Sequence, residues 1–384
     1  MARKLKSDKW LFTATLVLVC ASLVMVYSAS AVIANERFRQ PTYFLFKQAT
    51  FALVGFVLMP ILMRLDYRRY REPAVIWTAI ALVGIALVGV LFGPRINGAR
   101  RWFGIAGVGV QPSEFAKIVV IFFVAAILER RMDRIDDLRY SLFPVAIALG
   151  VVVGLIMLQP DLGTALSIIV IVGAMIFAAG ISYRYILGLL LVSLPAASVV
   201  LMSASYRRRR MMVFLNPWQD PLGDGFQVIQ SLIAVGTGGV FGRGLMAGVQ
   251  KLFYLPYPET DFIYAVIGEE LGLAGATVIL ACFCVIAWRG LRTAIRAPDR
   301  FGAFLALGLT TMVTAQAFFN ISVVLGLLPT KGIPLPFVSF GGSSLLVSMI
   351  GMGILLNVSQ HASTTHVVTT VLEPVQPAVM TADA

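Results

Sequence analysis

The sequence predicts an all-α protein that crosses a membrane about ten times. Three observations point there. Of its 384 residues, 59% are hydrophobic and only 13% are charged, about half the charged share of an ordinary soluble domain. Mean hydropathy is +0.87. The apolar residues also fall in continuous runs near the 20 or so residues that a helical span needs, not in the alternating pattern of a barrel strand. A soluble enzyme, a disordered chain and a fibrous protein are excluded on the same grounds. The three cysteines, Cys20, Cys282 and Cys284, all lie inside apolar runs. They read as small core residues rather than as bridges or metal ligands.

Taken in order, the expected spans are 10–33, 43–63, 74–93, 113–129, 142–158, 162–180, 185–204, 261–288, 302–327 and 340–357. The fifth and sixth are separated only by Gln159-Pro160-Asp161, so a nine-span count is the alternative. The first run has a basic start and an Ala29-Ser30-Ala31 site, but it is too long for a cleaved leader and a second span follows closely. With the N-terminus inside, the inside loops hold seventeen Lys and Arg against six in the short outside loops. Both termini are therefore expected in the cytoplasm. The net charge of +12 then serves mainly to anchor the chain to an anionic inner leaflet. Nucleic acid is not an expected partner, because the basic residues are scattered between spans.

One membrane domain is expected over 1–357, followed by a disordered cytoplasmic tail at 358–384 that lacks Lys and Arg. Two outside segments stand out, 93–111 and the 55-residue loop 206–260 between spans seven and eight. A loop that long in a compact protein is usually functional. Residues 227–235 within it are apolar with polar breaks, as in a short helix on the membrane surface.

The polar residues narrow the chemistry. His361 and His366 lie in the tail, so neither a Ser–His–Asp arrangement nor zinc spacing exists in the body of the chain. A general base on the outer face must be a carboxylate or a lysine with a lowered pKa. Asp8, Asp66, Glu129, Asp133 and Asp299 fall on the inside as counter-charges, whereas Glu36, Glu114, Asp161, Asp220, Asp224, Glu259 and Asp261 lie on or near the outer face. Glu114 and Lys117 share a helix face at i, i+3, either as a mutual ion pair or as a charged cavity wall, with Pro112 as helix opener. Asp261 opens span eight, as a cap or as a working carboxylate. Glu269, roughly 12 Å farther along a continuous helix, suits a buried hydrogen bond. The glycine-dense run 236–244 suits either a phosphate cradle or a flexible loop.

Seven motifs carry a resemblance. They are Asn97-Gly98-Ala99-Arg100-Arg101-Trp102, Gln111-Pro112-Ser113-Glu114-Phe115-Ala116-Lys117, Gln159-Pro160-Asp161-Leu162-Gly163-Thr164 and Asn216-Pro217-Trp218-Gln219-Asp220-Pro221. Farther on come Gly225-Phe226-Gln227 with Gln230-Ser231-Leu232, Thr260-Asp261-Phe262-Ile263 with Gly268-Glu269-Glu270-Leu271-Gly272, and Leu328-Pro329-Thr330-Lys331-Gly332-Ile333-Pro334-Leu335-Pro336 with Gly341-Gly342-Ser343-Ser344. In this order the chain resembles the SEDS family of bacterial cell-wall polymerases over about 10–357. Pro-Thr-Lys-Gly is more similar to the division member than to the elongation member.

The resemblance implies a ten-span fold in the bacterial inner membrane and a peptidoglycan glycosyltransferase acting on lipid II. It also implies a class B penicillin-binding protein and other division proteins as partners. The family's acid falls on Asp261, its charged pair on Glu114 and Lys117, and its Arg-Trp on Arg101-Trp102. Arg101, Lys117, Arg243 and Lys331 become the candidates for holding the leaving pyrophosphate, with Glu114 in the same substrate site and a divalent cation (Mg or Mn) as a further candidate. The lipid tail is expected between the fourth and eighth spans. The chain departs from the family at Glu259, where His is usual, and at Phe340, where Tyr is usual. Glu259 adds a negative charge expected to raise the pKa of Asp261. A lipid II flippase, an elongation-type polymerase and a non-catalytic scaffold are the alternative readings. A flippase would need charged residues along a path through the bilayer, and a scaffold would tolerate loss of Asp261.

Overall fold

A computed structural model describes residues 7–95, 99–105, 108–135, 137–185, 187, 188, 191, 195, 213–223 and 225–362. Ten helices of ten or more residues stand among them. These are α1 (Lys9–Phe38), α2 (Tyr43–Arg64), α3 (Pro73–Val90), α4 (Pro112–Arg131), α5 (Phe143–Leu158), α6 (Leu162–Ala178), α7 (Phe226–Gly238), α8 (Ile263–Ile295), α9 (Arg300–Val324) and α10 (Gly342–Ala362). Among the described residues seven helices are long and apolar enough to cross a membrane. The expected fourth span is the 20-residue α4, which carries a buried ion pair, and the sixth is the 17-residue α6. The expected seventh span lies mostly outside the described residues, as do Arg207, Arg208, Arg209, Arg210, Asp224, Asn97, Gly98 and the tail from 363.

The helices start where the sequence supplies a partner for their first amides. The Asp8 carboxylate accepts from the Trp10 and Leu11 amides at 3.0 and 3.3 Å. Asp161 does the same for Thr164 at 3.2 Å and Asp299 for Gly302 at 2.7 Å. Pro73 and Pro112 occupy first turns, where a missing N–H costs nothing. In the span of α10, 89% of residues are enclosed by protein, against 17% in α3 and α5. So α10 is interior, and α3 and α5 face lipid.

One end of the bundle gathers both chain ends of the described body. The Asp8 amide donates to Ser359 Oγ at 3.3 Å, and Arg289 Nε donates to Asp8 at 2.6 Å. Arg68–Asp299, Arg71–Glu129 and Arg300–Asp133 pair at 3.2, 3.1 and 3.0 Å at this terminal end. Of the carboxylates expected as counter-charges, Asp8, Glu129, Asp133 and Asp299 act as such, whereas Asp66 accepts from the Arg68 amide at 3.0 Å and caps a short turn.

Four features depart from expectation. A two-stranded hairpin, β1 (Phe103–Ile105) with β2 (Val108–Val110), stands in the otherwise helical chain between α3 and α4. The final helix runs on through Ala362, five residues into the segment read as tail, with Val358, Ser359 and Ala362 buried. The short helix of the long loop exists as α7 but is packed into the protein: Val228, Ile229, Ser231 and Ala234 are buried, and Ser231 Oγ donates to the Val324 carbonyl at 2.8 Å.

The largest departure is in α8, which is broken at Gly272 (φ 66°, ψ −165°). Tyr264 Oη donates to the Ala276 carbonyl at 3.2 Å, although twelve residues of unbroken helix would separate them by about 18 Å. The chain therefore folds back sharply, and residues 263–271 form a separate buried arm. Only glycine adopts that backbone geometry without strain. The glycine-dense loop fills the break: Arg243 and Gly244 amides donate to the Glu269 and Glu270 carbonyls at 3.0 Å each, and the Leu273 amide to the Gly239 carbonyl at 2.9 Å. A Cβ at Gly242 would sit 2.1 Å from the Glu270 carbonyl oxygen. The run 236–244 is a packed splice, and Glu269 lies on the arm rather than deeper along a continuous span.

Candidate active site

At the end opposite the chain termini, the α9–α10 connection (residues 325–341) folds onto the turn that leads into α8. The Ser339 hydroxyl donates to the Thr260 carbonyl at 2.5 Å, and the Phe340 amide to the Glu259 carbonyl at 2.8 Å. Asn320, near the end of α9, donates through Nδ2 to the carbonyls of both Asp261 and Ile333 at 2.8 Å. This one amide fixes the carboxylate's backbone against the loop. Gly332 leaves room for the side chain, since a Cβ there would come within 2.9 Å of Asp261 Oδ2. Among the described residues no donor is hydrogen-bonded to the Asp261 carboxyl.

Burial first and the Glu259 charge second raise the Asp261 pKa from its ordinary value to about 7, with Arg101 opposing both. The expected effect of Glu259 on Asp261 is thus present. Glu259 is itself raised, mainly by burial, with Arg37 opposing. One of its carboxyl oxygens has no hydrogen-bond partner among the described residues.

Arg101 is held on the turn between α5 and α6. Its Nε and Nη2 donate to the Gln159 and Pro160 carbonyls at 2.8 and 2.6 Å. Those two residues precede Asp161, a buried carboxylate that accepts from Gln111 Nε2 and Thr164 Oγ1 at 2.8 Å each. Asp161 is therefore consumed in capping α6 and tying it to α4. Gly163 packs against Ile333, which carries the top of α6 to the loop that faces Asp261.

Glu114 and Lys117 pair at 2.9 Å, both nearly inaccessible. Lys117 also donates to Gln316 Oε1 at 2.9 Å, and Gln316 Nε2 donates to the Pro334 carbonyl at 2.9 Å. The mutual ion pair of the sequence reading is present, and it is linked through Gln316 on α9 to the 325–341 loop. Lys331 sits beside Gly332 on the loop that faces Asp261. Arg243 is the exception among the expected residues, because its guanidinium lies 3.9 Å from Glu269 and joins the splice at the α8 break. Among the described residues no three His, Cys, Asp or Glu side chains cluster as a metal site. A divalent cation at Asp261 would therefore take most of its ligands from substrate oxygens and water, a common arrangement for Mg²⁺.

Uncharged amides that no charge pattern marks organise this site, Asn320 and Gln316 above all, and Gln48, which joins Ser22 to the Ser339 carbonyl at 2.7 and 3.2 Å. All three sit within apolar helices, a placement costly enough to mark them from sequence.

The comparisons agree with this architecture. The family profile described as Cell cycle protein, which groups FtsW, RodA and SpoVE, matches residues 9–364. A relative from Geobacter sp. (strain M18), named probable peptidoglycan glycosyltransferase FtsW, is 45% identical over 89% of this chain and 94% of its own length. Stage V sporulation protein E of Bacillus subtilis (strain 168) is 44% identical over 94% of this chain and 99% of its own. Among solved structures, a chain from "Structural coordination of polymerization and crosslinking by a peptidoglycan synthase complex" superposes with a TM-score of 0.78 and 30% identity, covering 94% of this chain and 99% of that one. The rod shape determining protein RodA of Thermus thermophilus superposes with a TM-score of 0.68 and 26% identity, covering 93% and 97%. With a matched profile over almost its whole length and relatives this similar, the chain is a multi-pass membrane protein that belongs to the FtsW, RodA and SpoVE family.

Proposed function

We propose that this protein is a peptidoglycan glycosyltransferase that polymerises lipid II into glycan strands during bacterial cell division, with Asp261 as general base. The observation that carries the reading is the Asp261 carboxyl itself. It is half-buried beneath the 325–341 loop, accepts no hydrogen bond among the described residues, has its pKa pushed up to about 7 and is faced by Arg101. A base whose pKa lies near the working pH is at its most effective. The acceptor sugar hydroxyl gives its proton to Asp261 as its oxygen bonds to the anomeric carbon of the donor sugar. The bond from that carbon to the diphosphate breaks, and its electron pair leaves with undecaprenyl pyrophosphate. A diphosphate leaves without a protonating acid, so one carboxylate suffices where a glycosidase needs two.

Arg101, anchored by two carbonyls, is a preorganised positive charge for the leaving group. Lys331 is assigned to the same diphosphate, while Glu114 and Lys117 hold the wall. A divalent cation would neutralise the diphosphate when bound. The bundle end rich in paired arginines is assigned to the cytoplasm, which puts both termini there and Asp261 on the outer side. The partner assigned is a class B penicillin-binding protein, in keeping with a similar solved chain from a peptidoglycan synthase complex.

Purified protein incubated with labelled lipid II, with and without the partner transpeptidase and with and without EDTA, tests the reading. Glycan polymer is expected, and EDTA sensitivity decides the cation. Transport of labelled lipid across vesicles with no polymer under any condition would sink the glycosyltransferase and support a flippase.

Glu259 gives a pH test. Its negative charge raises the Asp261 pKa, so Glu259→Gln is expected to move the acidic limb of the polymerisation rate to lower pH. An unmoved limb across pH 5–9 would show that Glu259 carries no charge beside the base.

A further inference from the structure

At the terminal end a cleft of about 200 Å³ opens between the start of α3, the end of α4 and the start of α5. Its walls are Ile76, Trp77, Phe123, Ala126, Ile127 and Pro144, and its rim carries Arg130 and Arg131. The walls are apolar and Trp77 is largely exposed beside them, as expected of a groove that opens toward lipid at the interface.

Among the described residues the charge at the rim has no carboxylate partner. A guanidinium carries five N–H donors. Among the described residues Arg130 spends one on the Arg71 carbonyl at 3.3 Å, and Arg131 spends one on the Tyr140 carbonyl while stacking on the Tyr140 ring at 4.7 Å. Neither pairs with a carboxylate among those residues. The neighbouring acids are engaged elsewhere: Glu129 with Arg71, Asp133 with Arg300, and Asp137 with the amides of Arg139 and Tyr140 at 3.1 and 3.3 Å. Glu72 stands exposed before Pro73, and Asp136 lies outside the described residues. The glycosyl-transfer site described above lies at the opposite end of the bundle and does not use this cleft.

We infer that this cleft is a binding site for one anionic phospholipid, with an acyl chain along Trp77, Phe123 and Ile127 and the phosphate on Arg130 and Arg131. Basic pockets between membrane helices on the cytoplasmic side bind anionic headgroups in this way, and guanidinium matches phosphate in a bidentate fork.

Native mass spectrometry of the full-length protein in detergent, titrated with dioleoylphosphatidylglycerol, dioleoylphosphatidylcholine or glycerol 3-phosphate, tests it. Wild-type protein is expected to retain one phosphatidylglycerol roughly twenty-fivefold more tightly than phosphatidylcholine, about fivefold for each guanidinium. Arg130→Gln with Arg131→Gln is expected to abolish that preference. Ala126→Leu, which narrows the cleft without changing charge, is expected to weaken both lipids, and the control pair Arg292→Gln with Arg296→Gln is expected to keep the preference. Equal retention of the two lipids by wild-type protein would overturn the site without recourse to any variant. So would loss of the preference in the control pair, which would mean diffuse surface charge, or competition by glycerol 3-phosphate as strong as by the lipid, which would mean a free-phosphate site.

Discussion

Replacing Asp261 by Asn is expected to lower glycan polymerisation by two to four orders of magnitude, the range contributed by a positioned proton acceptor. That corresponds to about 3–5 kcal/mol of barrier. Asn matches the carboxyl in size, and the backbone tie through Asn320 uses the Asp261 carbonyl rather than its side chain. Fold and lipid II retention should therefore survive, and both can be read by gel filtration and lipid pull-down. Wild-type-like chain growth by the variant would refute the assignment. The same substitution has a second, opposite readout. In the folded protein burial raises the Asp261 pKa to about 7, whereas an unfolded Asp sits near 3.9. The folded state therefore binds the proton more tightly, and stability falls as pH rises from about 4 to about 7. Asn carries no charge to bury, so the variant is expected to unfold at a higher temperature than wild type at pH 8, with the gap closing below pH 4. Lower activity together with higher stability would mark a carboxylate kept buried for chemistry. Polymerisation by the wild-type enzyme should meanwhile rise with pH through about 7 and then level off.

The sequence exposed what depends on composition and on local caps. Apolar runs gave most of the helices, Gln159-Pro160-Asp161 the break between α5 and α6, Pro112 the start of α4, and the i, i+3 spacing the Glu114–Lys117 pair. It did not expose what depends on the chain returning to itself. Nothing within residues 261–288 says that Gly272 adopts a left-handed backbone, because the reason lies thirty residues earlier in the glycines that fill the break. Arg243 was legible as a cation near the site, yet its partner Glu269 is fixed by that same splice. Asn320 and Gln316 are uncharged, so no charge pattern marks them, and their roles follow from the loop that folds back over Asp261. Local chemistry was readable; long-range closure was not.

Glu270→Ala is expected to cost about 3–5 kcal/mol of stability, the loss usual when one member of a buried ion pair is removed. The Glu270 carboxylate is fully inaccessible and accepts from Lys251 at 2.6 Å, from Ser28 on α1 and from the Met246 amide at 2.9 Å. Without it the ammonium of Lys251, itself buried, has among the described residues only the Ser28 hydroxyl, at 2.8 Å. The damage should not stop at stability. Glu269 next to it accepts from the Val249 and Gln250 amides at 2.8 and 3.2 Å, so the two carboxylates together hold the segment that leads from the splice to Asp261. A loosened strap is expected to lower polymerisation even at temperatures where the variant stays folded. The discriminating variant is Glu270→Gln with Lys251→Met, which removes the stranded charge and keeps the volume. It should recover a large part of the stability lost in Glu270→Ala, because the large cost of breaking a buried pair comes from the charge left uncompensated, and here neither charge remains. Thermal unfolding in detergent measures both. If the double variant is no more stable than Glu270→Ala, the pair is not what holds the strap, and the load lies in the amide bonds to the two carboxylates instead.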